Sequence, residues 1–137
     1  MAMPIRVQPD AELAVIQYLR SRSEVTSLVP SSRITTAIPQ EPTYPCVTVT
    51  RIGGGSTSWG QIDEPAIQVD VWGGSRYLCQ QIARTVRACI LALANDTVSE
   101  GTLASGFEEV GPQWFPDSVV VPPLPRYVAR YRVLLHK

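Results

Sequence analysis

Two periodicities meet within residues 66–96, AIQVDVWGGSRYLCQQIARTVRACILALAND. Ile67, Val69 and Val71 alternate with Gln68, Asp70 and Trp72, the pattern of a strand with one face in a core and the other more polar, so Asp70 is expected to point outward. Gly73 and Gly74 turn the chain, and Ser75 can cap a long helix. Leu78, Ile82, Val86, Cys89, Ile90 and Leu93 form its apolar stripe, with Arg76, Arg84 and Arg87 toward solvent or a partner. Asn95-Asp96, which tolerate turn conformations, mark its end.

The same reading extends along the chain. Pro9-Asp10 starts a first helix, with Leu13, Ala14, Ile16, Tyr18 and Leu19 on its apolar side through about Arg20. SEVTSLVP adds a helical turn or two, capped by Ser23 and stopped by Pro30. RITTAIP reads as a brief strand, EPTYP as a stiff connector and CVTVTRI as a strand. The run GGGSTSWGQIDEP then predicts a long hairpin loop at 53–63, whose Trp59 either waits for a partner surface or folds back on the sheet. A short strand is expected near 103–110 and a proline-rich arm at 111–125 carrying Trp114 and Phe115, which either wraps another surface or covers an edge of its own sheet. YVARYRVLL alternates as a closing strand. The order predicts one α+β domain over 1–137: a largely antiparallel sheet of about four strands with two main helices packed on one face.

Composition narrows the function. Twelve basic and twelve acidic residues among 137 leave no net charge, which removes a broad electrostatic lure for nucleic acid or anionic lipid. The longest apolar runs are too short to span a bilayer, and MAMPIRVQPD lacks the apolar stretch of a secretion signal, so the expectation is a protein made in the cytoplasm with no membrane association. Three cysteines without metal-ligand spacing fit inert thiols, Cys79 and Cys89 lying about 15 Å apart along one helix.

Catalytic groups are scarce. The single histidine, His136, adjoins the carboxyl terminus, which leaves no Ser-His-Asp or Cys-His arrangement without it and no histidine-rich metal site. The glycines of 53–55 lack the Gly-Lys-Ser/Thr ending of a phosphate loop and lead into a strand. Asp63, Glu64, Asp70, Glu108 and Glu109 read as solvated charges, because adjacent acids on a strand point to different sides. No catalytic, metal or cofactor site is therefore expected.

The ordered set LVPSSRITTAIPQEPTYPCVTVTRI, AIQVDVWGGSRYLCQQIARTVRACI and PRYVARYRVLL resembles the tail terminator, or tail completion, proteins of long-tailed bacteriophages. In that family a "riy...P...PyV.y" segment leads to the strand "vqvDvw", then a helix, then a strand beginning near an Arg-Tyr pair. The resemblance implies a non-enzymatic virion protein at the tail–neck junction, assembled in the host cytoplasm. Its subunits would form a six-membered ring that caps the tail tube, stops its polymerisation and docks head completion or neck proteins, while DNA passes the lumen without specific binding. Under that reading Arg76, Arg84 and Arg87 face a neighbouring subunit, and Trp59, Trp114 and Phe115 reach the tail tube or neck. Asp70 matches the family's acid and would pair with an arginine of a neighbour or of the last strand, such as Arg130 or Arg132. Eleven of the twelve basic residues are arginine, which suits bidentate contacts across interfaces, although a GC-rich genome yields the same bias. Two alternatives stay open: another neck or minor tail protein, and a small enzyme or ligand-binding module with an acid-lined pocket between sheet and helices.

Overall fold

Asp10 ends an extended segment and its Oδ1 accepts the Leu13 amide at 3.1 Å, which sets the start of α1, Ala11–Ser21. The structure, a computed structural model, describes residues 5–57, 60–119 and 121–137. Ala11, Ala14, Val15, Ile16, Tyr18 and Leu19 form the buried side of α1, whereas Leu13 is exposed. A short α2, Ser23–Thr26, comes next; Arg22 rather than Ser23 occupies its capping position, without a side-chain cap.

After one turn of 3-10 helix at Ser31–Arg33, the strands are β1 (Ile34–Thr35), β2 (Cys46–Thr57), β3 (Ile62–Trp72), β4 (Ala94–Thr97), β5 (Thr102–Trp114) and β6 (Arg126–His136). Helix α3, Arg76–Leu91, connects β3 to β4, and Ser75 Oγ accepts the Leu78 amide at 3.1 Å as the sequence predicts.

The class is α+β, but the sheet has six strands among the described residues, in the order β1-β2-β3-β6-β5-β4, where about four antiparallel ones were expected. β1 pairs parallel to β2 and all other pairs are antiparallel. The proline-studded connector 36–45 carries the chain from the end of β1 back to the start of β2, and that return makes the pair parallel. β4 contains Asn95-Asp96, which the sequence marks as the turn ending α3; the helix stops at Leu91, and Asn95, with φ 55°, keeps its turn conformation inside the strand.

Register assigns the faces. Val47, Val49, Ile67, Val69, Val71, Tyr127, Ala129 and Tyr131 stand on the same side across β2, β3 and β6, and they share one contiguous core with α1 and α3. Both main helices therefore cover that side of the sheet. The opposite face of β2, β3, β6 and β5 carries no helix among the described residues.

Two expected irregular segments are partly strand. The glycine run of the expected 53–63 loop pairs in register with β3, Gly53 opposite Ala66, Gly54 opposite Pro65 and Gly55 opposite Glu64, leaving 58–61 between the strands. A register shift at Arg51/Gly53 and positive φ at Gly53 and Gly54 let the strand continue through the glycines. Trp59 lies outside the described residues. The expected 111–125 arm begins only after Trp114, because three register shifts absorb the irregular sequence of β5 and keep it on β6. Residues 115–125 then close on themselves through reciprocal bonds between Asp117 and Leu124.

The β2–β3 connection and the 115–125 segment lie at opposite ends of the sheet. β3 starts beside the β2–β3 turn and finishes at Trp72, opposite Arg126 where the 115–125 segment returns. Eleven residues of strand separate the two by roughly 33 Å.

Candidate functional site

Asp70 lies on the strand face opposite the helices, as alternation requires, yet it is 4% exposed. Register explains why. Trp72 stands opposite Arg126 at the start of β6, which brings the Arg126 guanidinium diagonally over Asp70 on the same face. Arg126 Nε donates to Asp70 Oδ2 at 3.1 Å, Nη2 donates to the same oxygen, and Gln68 Nε2 donates to Oδ1 at 3.0 Å. The guanidinium sits 4.3 Å from the Trp72 ring centroid and 5.4 Å from that of Phe115, stacked between aromatics while ion-paired. The partner is thus Arg126, not Arg130 or Arg132: those two alternate further along β6, opposite Gln68 and Ala66. Arg126-Tyr127 is the Arg-Tyr pair of the resemblance, so its two polar marks, the acid and the arginine, meet as one ion pair.

Around this pair the uncovered sheet face is a mosaic of arginine and apolar side chains. Val110, Gln113, Phe115, Val128 and Arg130 border a shallow recess of about 420 Å³. Ile52, Phe107, Val110 and Phe115 are 43%, 49%, 42% and 56% exposed. Arg132 crosses the face to Glu109 at 2.8 Å and Glu64 at 3.3 Å. Arg130 is exposed and has no ion-pair partner among the described residues.

The helical arginines divide likewise. Arg87 grips Glu108 of β5 in a bidentate pair, Nε–Oε1 2.5 Å and Nη2–Oε2 3.0 Å, and that hydrogen bonding holds the Glu108 carboxyl below its ordinary range. Arg76 lies 4.2 Å over the Trp114 ring, which packs on Tyr127 with centroids 5.3 Å apart. Trp114 is therefore built into the end of the sheet instead of riding on a free arm. Arg84 is exposed, with no ion-pair partner among the described residues.

The acids expected to be solvated are engaged. Asp63 is 2% exposed and takes a bidentate pair from Arg51 at 2.6 and 2.9 Å, a contact invisible in the sequence because it needs the hairpin register. A larger recess, about 820 Å³, opens between α2 and α3 and is lined by Tyr18, Arg22, Glu24, Tyr77 and Arg84. It is rich in arginine and lies between helices, unlike the acid-lined pocket of the enzyme alternative. All three thiols are buried, and burial pushes those of Cys46 and Cys79 up to about 11, far from a reactive thiolate. No group of three or more potential metal-ligating His, Cys, Asp or Glu side chains exists among the described residues. No helix among the described residues is long and apolar enough to cross a membrane.

Ion-paired arginines, stacked aromatics and uncovered apolar side chains spread over one sheet face and both its ends define a structural protein of the kind that presents surfaces. The chain belongs to the phage tail termination protein family, which matches residues 7–125. It is a structural virion protein of the phage tail. Six solved chains match the fold. One, in the virion of a native gene transfer agent particle, has a TM-score of 0.68 and 17% identity over 93% of this chain and 95% of that one. No curated protein matches the chain by sequence.

Proposed function

We propose that the chain forms a ring, of six subunits, that caps the completed tail tube, stops its polymerisation and offers a second face to head completion or neck proteins. The family match over residues 7–125 carries this reading. Its geometric support is the polarity of the subunit: the β2–β3 turn and the 115–125 segment lie at opposite ends of a long sheet, as a connector between two different partners requires. Arg84 and Arg130, the two sequence-predicted interface arginines with neither an ion pair nor an aromatic stacking partner in their own chain among the described residues, are the cations available to a neighbouring subunit. Val119 and Val121, each 90% exposed, make the 115–125 end an apolar contact for tube or neck. DNA passes such a ring without specific binding, since the chain has no net charge, and the assembly needs no cofactor and no catalytic step.

The deciding measurement is the mass of the purified chain, alone and mixed with the tail-tube protein. A ring, or a monomer that becomes a ring on tubes, is expected. A monomer indifferent to tubes would refute the assignment and favour a different neck component.

A further inference from the structure

A sheet edge offers unpaired backbone groups to any passing strand, and folded proteins normally blunt it. One edge here is blunted. β4 has four residues, Asn95 kinks it with φ 55°, and Asp96 Oδ2 takes the Ala94 amide at 2.9 Å. The other edge is covered only in its first half: β1 pairs with Val47 and Thr48, and Glu12 Oε2 takes the Arg51 amide at 2.8 Å. From Ile52 to Thr57 the outer side of β2 is exposed and has no strand partner among the described residues.

The glycines of that open edge sharpen the point. Gly54 is required by the chain itself, with φ 92° and a Cβ that would meet Glu64 O at 2.1 Å. Gly55 is not. Its φ is ordinary and a Cβ there would meet nothing within 4 Å, so an intrinsically poor strand residue stands where the isolated subunit has room for any side chain. Glycine inside a strand without an internal reason marks close approach of another backbone.

A segment suited to that approach lies at the same end of the molecule. Residues 5–8 run without strand partners, and Ile5 and Val7 are 97% and 76% exposed. Gln8 Nε2 donates to Gly60 O, and Gln8, Pro9, Glu12, Arg51 and Asp63 line a recess where this arm meets the β2 hairpin. In strand geometry Ile5 and Val7 fall on one side and Arg6 on the other. Within one subunit the arm makes no strand pairing with its own edge.

We infer that Ile5–Gln8 of a second copy of this chain adds as a strand to the outer edge of β2 between Ile52 and Thr57, so that each copy donates one arm and accepts one. An exchange of this kind is heterologous, and repeated around an axis it closes a ring. It rests on the ring reading above.

The test uses full-length chains carrying Val7→Cys, mixed with chains carrying Ser56→Cys or Thr57→Cys and oxidised mildly at neutral pH, where the buried native thiols stay inert. The expected result is a disulfide-linked pair of chains in the mixture. Gly55→Val, in turn, is expected to hold or raise the Tm while weakening self-association about tenfold or more. A chain that is monomeric by mass with and without tubes would sink the ring reading and this inference with it. Self-association with no cross-link in either register, or with undiminished assembly of Gly55→Val, would overturn the arm exchange alone. So would a double variant, Val7→Cys with Ser56→Cys, that links only within its own chain.

Discussion

Tyr131 is fully buried on the helix-facing side of β6, and its Oη finds no hydrogen-bond partner among the described residues. Burial raises its pKa above the ordinary tyrosine value, the expected response of a phenol removed from water. A buried hydroxyl with nothing to bond is a desolvation cost, so Tyr131→Phe is expected to leave stability unchanged or raise it by up to about 1 kcal/mol in urea unfolding. A clear loss would reveal a bonded partner for that hydroxyl. Asp70 is the opposite case. Asp70→Ala strands the stacked Arg126, which is only 20% exposed, and should cost about 2–4 kcal/mol, somewhat less than for a fully buried pair. Asp70→Asn keeps the shape and the Gln68 contact while removing the charge, and equal stability of that variant and the parent would show that the ion pair contributes nothing. Alternation was enough to assign Asp70 to the non-core face. Its burial was not legible, because it depends on a residue 56 positions away arriving in register.

Among the elements, the β2–β3 hairpin separates folding from function most cleanly. The β2 strand of its outer half, beyond Arg51, is exposed and contributes nothing to the core cluster. Replacing Thr57–Ile62 with Asn-Gly preserves the Ser56–Asp63 register and supplies a tight turn suited to the strand twist. Circular dichroism and Tm should change little, while tail joining in a complementation assay should be abolished. Retained joining would remove this end from the docking surfaces. The hairpin also shows why pattern reading stopped early at residues 53–57: glycine and serine signal a loop by composition, and only cross-strand pairing with Pro65, Glu64 and Asp63 makes them strand. Helix α3 was legible in its stripe and its Ser75 cap, both local signals, but not in its end: it stops at Leu91, and Asn95-Asp96 belong to β4.

At the scale of the molecule, arginines that look alike in sequence differ in what they are free to do. Arg87, Arg126 and Arg132 are spent on Glu108, Asp70, Glu64 and Glu109 of their own chain, and Arg76 on Trp114. Charge reversal at Arg84 and Arg130 should therefore leave folding intact and reduce ring formation by about tenfold or more, with the parent's assembly weakening as salt is raised. Sedimentation at low and high salt reads both effects. Indifference of the double variant would show that these arginines lie outside the subunit interface.

The sequence by itself determined what depends on neighbours along the chain: the α+β class, both main helices and the residues that start them, the inward side of β3, and the three-part pattern that signals the family. These follow from periodicity and capping, which act within a few residues. Only the tertiary structure decided the six-strand order, the pairing of Asp70 with Arg126 and Asp63 with Arg51, and which arginines stay available. Each requires strand register between segments distant in the chain, and register is a property of the assembled sheet.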